Sequence, residues 1–511
     1  MQTVDLIIIF GYLIGITAFG IWFAGKQKTT EDYFVGDRSV PWWAIAMSIV
    51  ATETSTITFV SVPGIAFAKG GNFQFLQLVF GYMLGRIVIS LVFIPLYFKG
   101  ELQTVYQLLG ERFGNRVKML ASGLFVIMRN IADGVRLLLT AIVLAAVYRS
   151  FNPNADPTTI IVGSIILLGV VMIVFTFYGG MEAVIWVEVV QLVIYIGGAT
   201  AAAVVLLQNI DGGFSTVMNV GSQFDKFDVF DFNLDFAKTY TFWGGLLGGC
   251  FLTMSTHGTD QYLVQRYLCT NKSSSAATAL LASGGVVLAQ FIGFLFIGAL
   301  LFAFYAPFNS PEYSQAGVAG SGIAGTFPFA KPDQVFPNFI TEHMPAGLSG
   351  LVVAAIFAAA LSSSLNSIAA TAINDLYKPY AKSVTDSQLL KLSGVLTVVI
   401  GIIQIMVAIA FMTTGESALN IALSVASLFN GPVLGVFLIG TFVSRAKEIH
   451  ALVGMLASMS LMIYILLAFN GFVPGPRIAW PWYALIGSLT TFAVATFASL
   501  VLPNKNDEIS A

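Results

Sequence analysis

Residues 51–58 read Ala51-Thr-Glu-Thr-Ser-Thr-Ile-Thr58, and they interrupt a stretch that is otherwise apolar enough to cross a membrane. The flanking residues 42–50 and 59–67 together approach the length of one membrane-spanning helix. The polar run should therefore lie near mid-bilayer, where a carboxylate such as Glu53 costs roughly 3 kcal/mol. Five hydroxyls beside a carboxylate, followed by Pro63-Gly64, predict a broken helix that lines a cavity or an ion site. The alternative is that the hydroxyls bond to carbonyls of their own helix.

The composition is that of a polytopic membrane protein. Of the 511 residues, 57% are hydrophobic and 10% are charged, whereas soluble domains carry roughly 25% charged residues. The net charge of −2 gives no reason to expect a nucleic-acid partner, and Cys250 and Cys269 have no metal-binding or redox spacing. We find no nucleophile elbow, phosphate-binding loop or zinc motif, so we do not expect an enzyme. We expect a monomer in the lipid bilayer.

The apolar segments predict an all-α membrane protein with about thirteen transmembrane helices. They are residues 5–24, 42–68, 75–98, 118–148, 158–178, 183–208, 240–268, 274–305, 347–377, 388–412, 417–442, 449–470 and 480–502. The two longest polar connections, about 209–239 and 306–346, are rich in Gly, Pro, Asn and Asp, and we expect short helices within them.

The distribution of basic residues predicts the orientation in the cell membrane. Most of the 24 Lys and Arg residues, including Arg266, lie in the connections that follow odd-numbered segments. The acidic stretch 225–235 lies on the opposite side. The positive-inside rule then places the N-terminus outside and the C-terminus in the cytoplasm.

The positions of two interruptions predict an inverted repeat. The seventh segment contains the polar run Thr253-Met-Ser-Thr-His-Gly-Thr-Asp-Gln261, five segments after the run at 51–58. An odd spacing reverses the topology, as it does in transporters built from two inverted five-helix halves. Residues 42–208 and 240–442 would form the halves of a single transporter domain, with 5–24 before them and 449–502 after them.

The ninth segment carries candidate ion ligands. Ala359, Ser362 and Ser363 fall on one helical face, because positions three and four apart are neighbours. Together with the backbone carbonyls of Ala51 and Thr54 they would supply five uncharged oxygen ligands, a set that suits Na⁺ and not a transition metal. The alternative is that these small residues allow close helix packing.

Several motifs, taken in order, resemble the sodium/solute symporter family, whose members have the LeuT-like fold of two inverted five-helix repeats. They are residues 48–64, the run Gly258-Thr-Asp-Gln-Tyr-Leu-Val-Gln-Arg-Tyr267, the serine-rich residues 357–375, and Gly431-Pro-Val-Leu-Gly-Val-Phe437. The resemblance implies Na⁺-driven import by alternating access. It also implies a sodium site formed by the five residues named above: Ala51, Thr54, Ala359, Ser362 and Ser363.

The ninth segment departs from the family by about one helical turn between Ala358-Ala-Ala360 and Asn366-Ser367. Aligned from Gly347-Leu-Ser-Gly350, the sequence puts Ser362 and Ser363 at the sodium-site positions. Aligned from Asn366-Ser367, Ala359 and Ala360 would replace the ligands. We prefer the first alignment, since it retains hydroxyl ligands.

Glu188, in the sixth segment, is a possible second cation site. Relatives often have a Thr-Asp pair there, whereas this chain has Val187-Glu188. The missing hydroxyl argues against a second sodium ion. A buried carboxylate of this kind can also take up a proton, and pairing of Glu188 with an arginine is an equally good interpretation.

Solute contacts are expected from the second, third, fourth and seventh segments. Phe73 and Gln77 lie four residues apart and resemble solute-contacting positions of the family's sialic-acid-transporting branch. Arg129, Asp133 and Arg136 recur at helical spacing, so one arginine can pair with Asp133 while the other binds a substrate carboxylate. Arg136 matches the sialic-acid branch better. The remaining candidates are Ser55, Thr56, Thr58, Ser255, Thr256 and His257, whereas Asp260 and Gln261 are expected to fix the helix.

Three roles are open for Glu53: binding a cationic part of the solute, lying near the sodium ion, or pairing with Arg136 when the site is empty.

The main hypothesis is a Na⁺-coupled importer of a small polar organic solute. We rank an organic anion or sugar acid first, then a sugar, then an amino acid. One alternative is a proton-coupled symporter that uses Glu188 or Glu53. Another is a sensor or channel on the same scaffold, which is less expected because no signalling domain follows the last segment.

Overall fold

The computed structural model describes residues 1–22, 30–54, 56–68, 70–100, 102–152, 154–305, 332–361, 364–381, 384–413 and 418–502. In this part of the chain the fold is helical, and a single isolated β-bridge joins Ser39 to Thr270. Three-residue 3₁₀ turns and two π-helical stretches, Gly244–Gly248 and Ala372–Tyr377, interrupt the α-helices.

The helices follow the predicted segments closely. Those of the first half are α1 (Thr3–Trp22), α2 (Thr30–Val35), α3 (Trp42–Glu53), α4 (Thr56–Phe67), α5 (Leu76–Tyr97), α6 (Tyr106–Phe113), α7 (Asn115–Phe151), α8 (Pro157–Gln208) and α9 (Gly213–Gln223). Those of the second half are α10 (Gly249–Thr259), α11 (Gln261–Leu268), α12 (Ser273–Tyr305), α13 (Val335–Glu342), α14 (Leu348–Leu361), α15 (Leu365–Thr371), α16 (Asp386–Ala410), α17 (Ala418–Phe442), α18 (Glu448–Phe469) and α19 (Pro481–Val501).

Within the described ranges, eight stretches of helix are long and apolar enough to cross a membrane, and the bent pair α3–α4 adds a ninth. Shorter apolar helices lie at the first, ninth and eleventh predicted segments, and α10 with α11 lies at the seventh. The structure differs from the prediction at the fifth and sixth segments, which form one continuous helix, α8. Helical hydrogen bonding continues through Gly179-Gly180, where the sequence predicted a connection.

Both interruptions predicted from polar runs are breaks in the helix. The second segment bends by 57° between α3 and α4, where Thr54 leaves the helical region with φ −76° and ψ 69°. The seventh breaks at Asp260, whose extended backbone ends α10 and whose carboxylate accepts the Tyr262 N–H to begin α11. A third break separates α14 from α15. These breaks free backbone groups that need other partners.

Close packing of helices brings the breaks near one another. Gly81 of α5 faces the backbone of the seventh segment so closely that an added Cβ would lie 2.3 Å from the Gly245 carbonyl oxygen. Gly298 of α12 meets the Pro63 carbonyl of α4 in the same way, at 2.2 Å. Small residues permit such approaches between membrane helices.

The first helix supports the ninth segment. The Asp5 carboxylate accepts hydrogen bonds from the Gly347 and Gly350 N–H groups and from the Ser349 hydroxyl, at 2.7–2.9 Å. It thus caps the N-terminus of α14, where a negative charge is favoured. The helix that carries the candidate ion ligand Ala359 is anchored to α1.

Candidate functional site

At the first break, hydroxyls satisfy part of the freed backbone. The buried Thr54 hydroxyl bonds to the Val50 carbonyl oxygen at 2.6 Å and lies 2.6 Å from the Gln290 amide nitrogen of α12. Across the bend, the Thr58 hydroxyl donates to the Glu53 carbonyl oxygen at 3.0 Å. The Thr52 hydroxyl likewise bonds to the Ser48 carbonyl oxygen at 2.8 Å. Local bonding of hydroxyls, the simpler interpretation of the polar run, therefore accounts for three of its members.

The proposed sodium site is described only in part. Ala51 is fully buried in α3, and Thr54 ends that helix. Ala359 lies in α14, which packs against α4 and α8. Ser362 and Ser363 fall outside the described residues, as does Ser55, and the side chain of Thr56 is not described. The five-ligand site and the choice of alignment at Ser362 remain predictions.

Glu53 lies in a buried cluster of charged side chains from three helices. Its carboxylate contacts the Arg86 guanidinium of α5 and Nε2 of His257 in α10. Nδ1 of His257 lies 3.1 Å from the Thr256 hydroxyl. The Arg86 side chain is 1% exposed, and its Nε and Nη1 have no hydrogen-bond partner among the described residues. Of the three alternatives for Glu53, pairing with Arg136 is not what the structure shows; the arginine that pairs is Arg86.

The predicted solute contacts of the seventh segment bond locally. The Ser255 and Thr256 hydroxyls donate to the Leu252 carbonyl oxygen at 2.7 and 3.0 Å. Both side chains are therefore engaged in this structure, and His257 is engaged with Glu53. Their roles as solute contacts stay predictions.

A second charged cluster joins the fourth segment to the other two breaks. Arg129 contacts Asp260, the residue at the seventh-segment break, and its Nη1 lies 4.0 Å from Asp133. Asp133 accepts a hydrogen bond from the hydroxyl of Ser364, which lies between α14 and α15. Asp260 thus fixes its helix, as predicted.

Both arginines of this cluster, Arg129 and Arg136, have an Nε without a hydrogen-bond partner among the described residues, and Arg136 is the one that matches the sialic-acid branch. Its Nη1 lies 3.7 Å from Asp133 and donates to the Tyr262 hydroxyl at 3.3 Å. Its Nε has no hydrogen-bond partner within the described ranges, and the side chain is 12% exposed. The guanidinium can therefore donate a hydrogen bond from Nε to a further oxygen atom.

Phe73 and Gln77 are covered by the connection between α9 and the seventh segment. The Phe73 N–H donates to the Asp228 carbonyl oxygen at 3.0 Å, and the Phe73 ring packs against Phe227. The Gln77 side-chain oxygen accepts the Asp231 N–H at 2.8 Å. The structure therefore engages both residues with the chain itself, and solute contact with them remains a prediction.

Glu188 forms a buried ion pair with Arg266 of α11. Arg266 donates through Nη2 at 2.5 Å and through Nε at 3.2 Å, and both side chains are fully buried. The Ser48 and Thr52 hydroxyls of α3 also bond to the carboxylate. Pairing with an arginine is thus the interpretation that the geometry favours, and a cation at Glu188 would compete with the guanidinium.

Sequence reasoning missed the partners of both buried glutamates. It counted Arg266 with the charges of a cytoplasmic connection, which is wrong, because the side chain is buried in α11. It assigned no role to Arg86, which lies within the third predicted segment, residues 75–98. An arginine in the middle of an apolar segment is itself a signal, because such a charge persists only when paired or functional.

Known proteins match this chain over most of its length. Residues 33–458 match the sodium:solute symporter family. The sodium/sialic acid symporter NanT of Aliivibrio fischeri is 31% identical over 99% of this chain and 95% of its own length. The solved structure of a Na⁺-coupled sialic acid symporter, in a substrate-bound outward-open state, superimposes with a TM-score of 0.82 at 29% identity and 98% coverage of both chains. Mhp1, a nucleobase-cation symporter, has a TM-score of 0.54 at 12% identity over 93% of this chain and 96% of its own, which shows a shared fold alone.

Proposed function

Because this chain belongs to the sodium:solute symporter family, and works as a Na⁺-coupled symporter with the LeuT-like fold, we propose that its solute is an organic anion or a sugar acid. Na⁺ is then a co-transported ion and not a resident cofactor. A sugar ranks second and an amino acid third.

The observation that carries the proposal is Arg136, a guanidinium beside the helix breaks that is 12% exposed and whose buried Nε has no hydrogen-bond partner among the described residues. Guanidinium groups bind carboxylates through paired N–H donors. Asp133 already accepts from Ser364 and lies 3.7 Å from Arg136 Nη1, so it leaves the Nε edge for a solute. Sialic acid, the solute of the symporters named above, carries a carboxylate that a guanidinium can bind in this way.

Charge balance at the site also supports an anion. Two basic and two acidic side chains offset each other in the cluster around Arg129 and Asp133, and Arg86 offsets Glu53. The proposed sodium ligands are uncharged. A Na⁺ entering this low-dielectric region would therefore be compensated best by a negatively charged solute. Such mutual compensation makes each ligand increase the affinity for the other, which is the basis of coupling.

A thermal-unfolding screen of the purified protein tests the solute class. We expect N-acetylneuraminate or another carboxylic acid to raise the unfolding temperature more in Na⁺ than in K⁺, because jointly bound ligands stabilise the folded state together. Glucose and proline should give smaller shifts. Arg136→Gln should remove the shift by the acid and keep the shift by Na⁺, while the matched control Arg149→Gln, exposed on the same helix, should keep both. Equal shifts by acids and neutral sugars would contradict the proposed class.

Proton coupling is the second candidate, and the contact between Glu53 and His257 is the observation that favours it. A carboxylate and an imidazole in contact can share or exchange a proton. Glu188 is a weaker candidate for this role, since Arg266 neutralises its charge.

We also propose the topology that the basic residues predict, with the N-terminus outside and the C-terminus in the cytoplasm. Two five-helix repeats, residues 42–208 and 240–442, accord with breaks at Thr54 and Asp260 in the first helix of each. The monomeric state remains a prediction.

A further inference from the structure

Lys226 is a buried lysine in the connection that follows α9, and its side chain ends against the C-terminus of α4. Only 2% of the residue is exposed. Its Nζ donates to four backbone carbonyl oxygens, those of Ala66 (2.9 Å), Phe67 (3.3 Å), Ala68 (2.7 Å) and Gly71 (3.0 Å). The Phe302 ring of α12 lies 4.0 Å from the same ammonium.

The four carbonyl oxygens form a cation site, and the Lys226 ammonium occupies it as a cation that is covalently part of the chain. The last turn of a helix leaves carbonyl oxygens without partners, and the helix dipole makes that end negative. Burial lowers the pKa of Lys226 to about 7, while the negative end of the helix and the aromatic face favour its positive charge. The chain bends back at Gly70, with φ +64°, so that the Gly71 carbonyl joins the other three. An ammonium has three N–H donors, so the four oxygens satisfy all of them.

The residues that follow Lys226 are attached to the beginning of α5. The Asp228 carbonyl accepts the Phe73 N–H, and the Asp231 N–H donates to Gln77. Lys238 and Asn233 bond to the Asp231 carboxylate and hold its pKa below the usual range. Residues 226–231, named here the cap segment, thus join the outer half of the broken helix to two residues predicted to contact the solute.

We propose that Lys226 is a positioning residue for solute binding. Its ammonium fixes the end of α4 to the cap segment and thereby sets the placement of Phe73 and Gln77. The inference rests on the proposed function, since it names Phe73 and Gln77 as solute contacts. It differs from a packing role, because the charge, and not the aliphatic stem, holds the two parts together.

The test is chemical rescue of Lys226→Ala in proteoliposomes. Removing the side chain leaves a cage of carbonyl oxygens into which methylammonium fits. We expect the half-saturating concentration of N-acetylneuraminate to rise about tenfold, the equivalent of ~1.4 kcal/mol, and to fall again when methylammonium is added outside. Lys226→Met, which keeps the stem without the charge, should show the same rise without rescue, since its side chain fills the cage. The matched control is Lys99→Ala, which removes an exposed lysine that follows α5 outside the cap segment and should change little.

Hydrogen exchange gives a second readout that needs no solute. In Lys226→Ala, amides of both residues 64–68 and the cap segment should exchange faster, and methylammonium should slow both. Normal uptake by Lys226→Ala, or faster exchange in the cap segment alone, would overturn the inference. A wild-type protein that transports no acid would overturn the proposed function instead, and the exchange result would still decide the role of Lys226.

Discussion

Replacing Glu188 with glutamine is expected to lower the free energy of unfolding by about 3–5 kcal/mol, because the change leaves the Arg266 guanidinium buried without a counter-charge. Both side chains are fully buried, and the carboxylate also accepts the Ser48 and Thr52 hydroxyls, so α3, α8 and α11 all lose a partner. Thermal unfolding in detergent measures the loss. The control Glu342→Gln removes an exposed carboxylate whose nearest basic atom, on His343, is 3.9 Å away, and it should have almost no effect.

The double variant Glu188→Gln/Arg266→Met distinguishes a structural pair from a cation site. Removing both charges should recover much of the stability, because a buried pair contributes little beyond an apolar replacement. The number of Na⁺ ions transported per solute should equal that of the wild type. A lower stoichiometry in folded Glu188→Gln would show that Glu188 binds a transported cation.

Replacing Arg86 with glutamine is expected to reduce Na⁺-driven uptake by about 100-fold, the equivalent of ~2.7 kcal/mol. The substitution leaves the Glu53 carboxylate in contact with the His257 imidazole, which carries a charge only when it is protonated. An uncompensated negative charge at the break repels an anionic solute strongly in a region of low dielectric. Initial uptake rates, normalised to folded protein, measure the effect.

The charge-neutral variant Glu53→Gln/Arg86→Gln is the control for this prediction. It restores the balance of charge, so uptake should return to within about tenfold of the wild type if Glu53 acts through its charge. If Glu53 instead holds Na⁺ directly, the sodium concentration for half-maximal uptake stays raised in the double variant. If Glu53 contacts the solute, the solute concentration for half-maximal uptake stays raised.

The breaks in the second and seventh segments were predictable because each has a local cause, whereas the break between α14 and α15 was not predicted. Polar residues inside an apolar segment raise the free energy of an uninterrupted helix in lipid. The run at 51–58 therefore predicts a break. Asp260 adds a second local signal, since aspartate is a favoured residue at the start of a helix, and its carboxylate begins α11. The order of the membrane-spanning segments was also predictable, because each is an apolar stretch long enough to cross a bilayer.

Pairings between distant segments were not predictable from the sequence. Glu53 and Arg86 are 33 residues apart, and Glu188 and Arg266 are 78 apart, so no periodicity relates them. Each pair depends on how closely the helices approach, for example where Gly81 lets α5 reach the seventh segment. The Gln77 amide illustrates the same limit, because its oxygen accepts from Asp231 in a connection 154 residues away.

The most direct measurement is uptake of N-acetylneuraminate into proteoliposomes under an imposed inward Na⁺ gradient. We expect transient accumulation above the external concentration, which disappears when Na⁺ is equal on both sides or is replaced by K⁺. A symporter requires this result, because Na⁺ and solute cross together and the Na⁺ gradient supplies the free energy, while mutual affinity favours the jointly bound state. Uptake that does not depend on the Na⁺ gradient, or that a pH gradient alone drives to the same level, would contradict Na⁺ coupling.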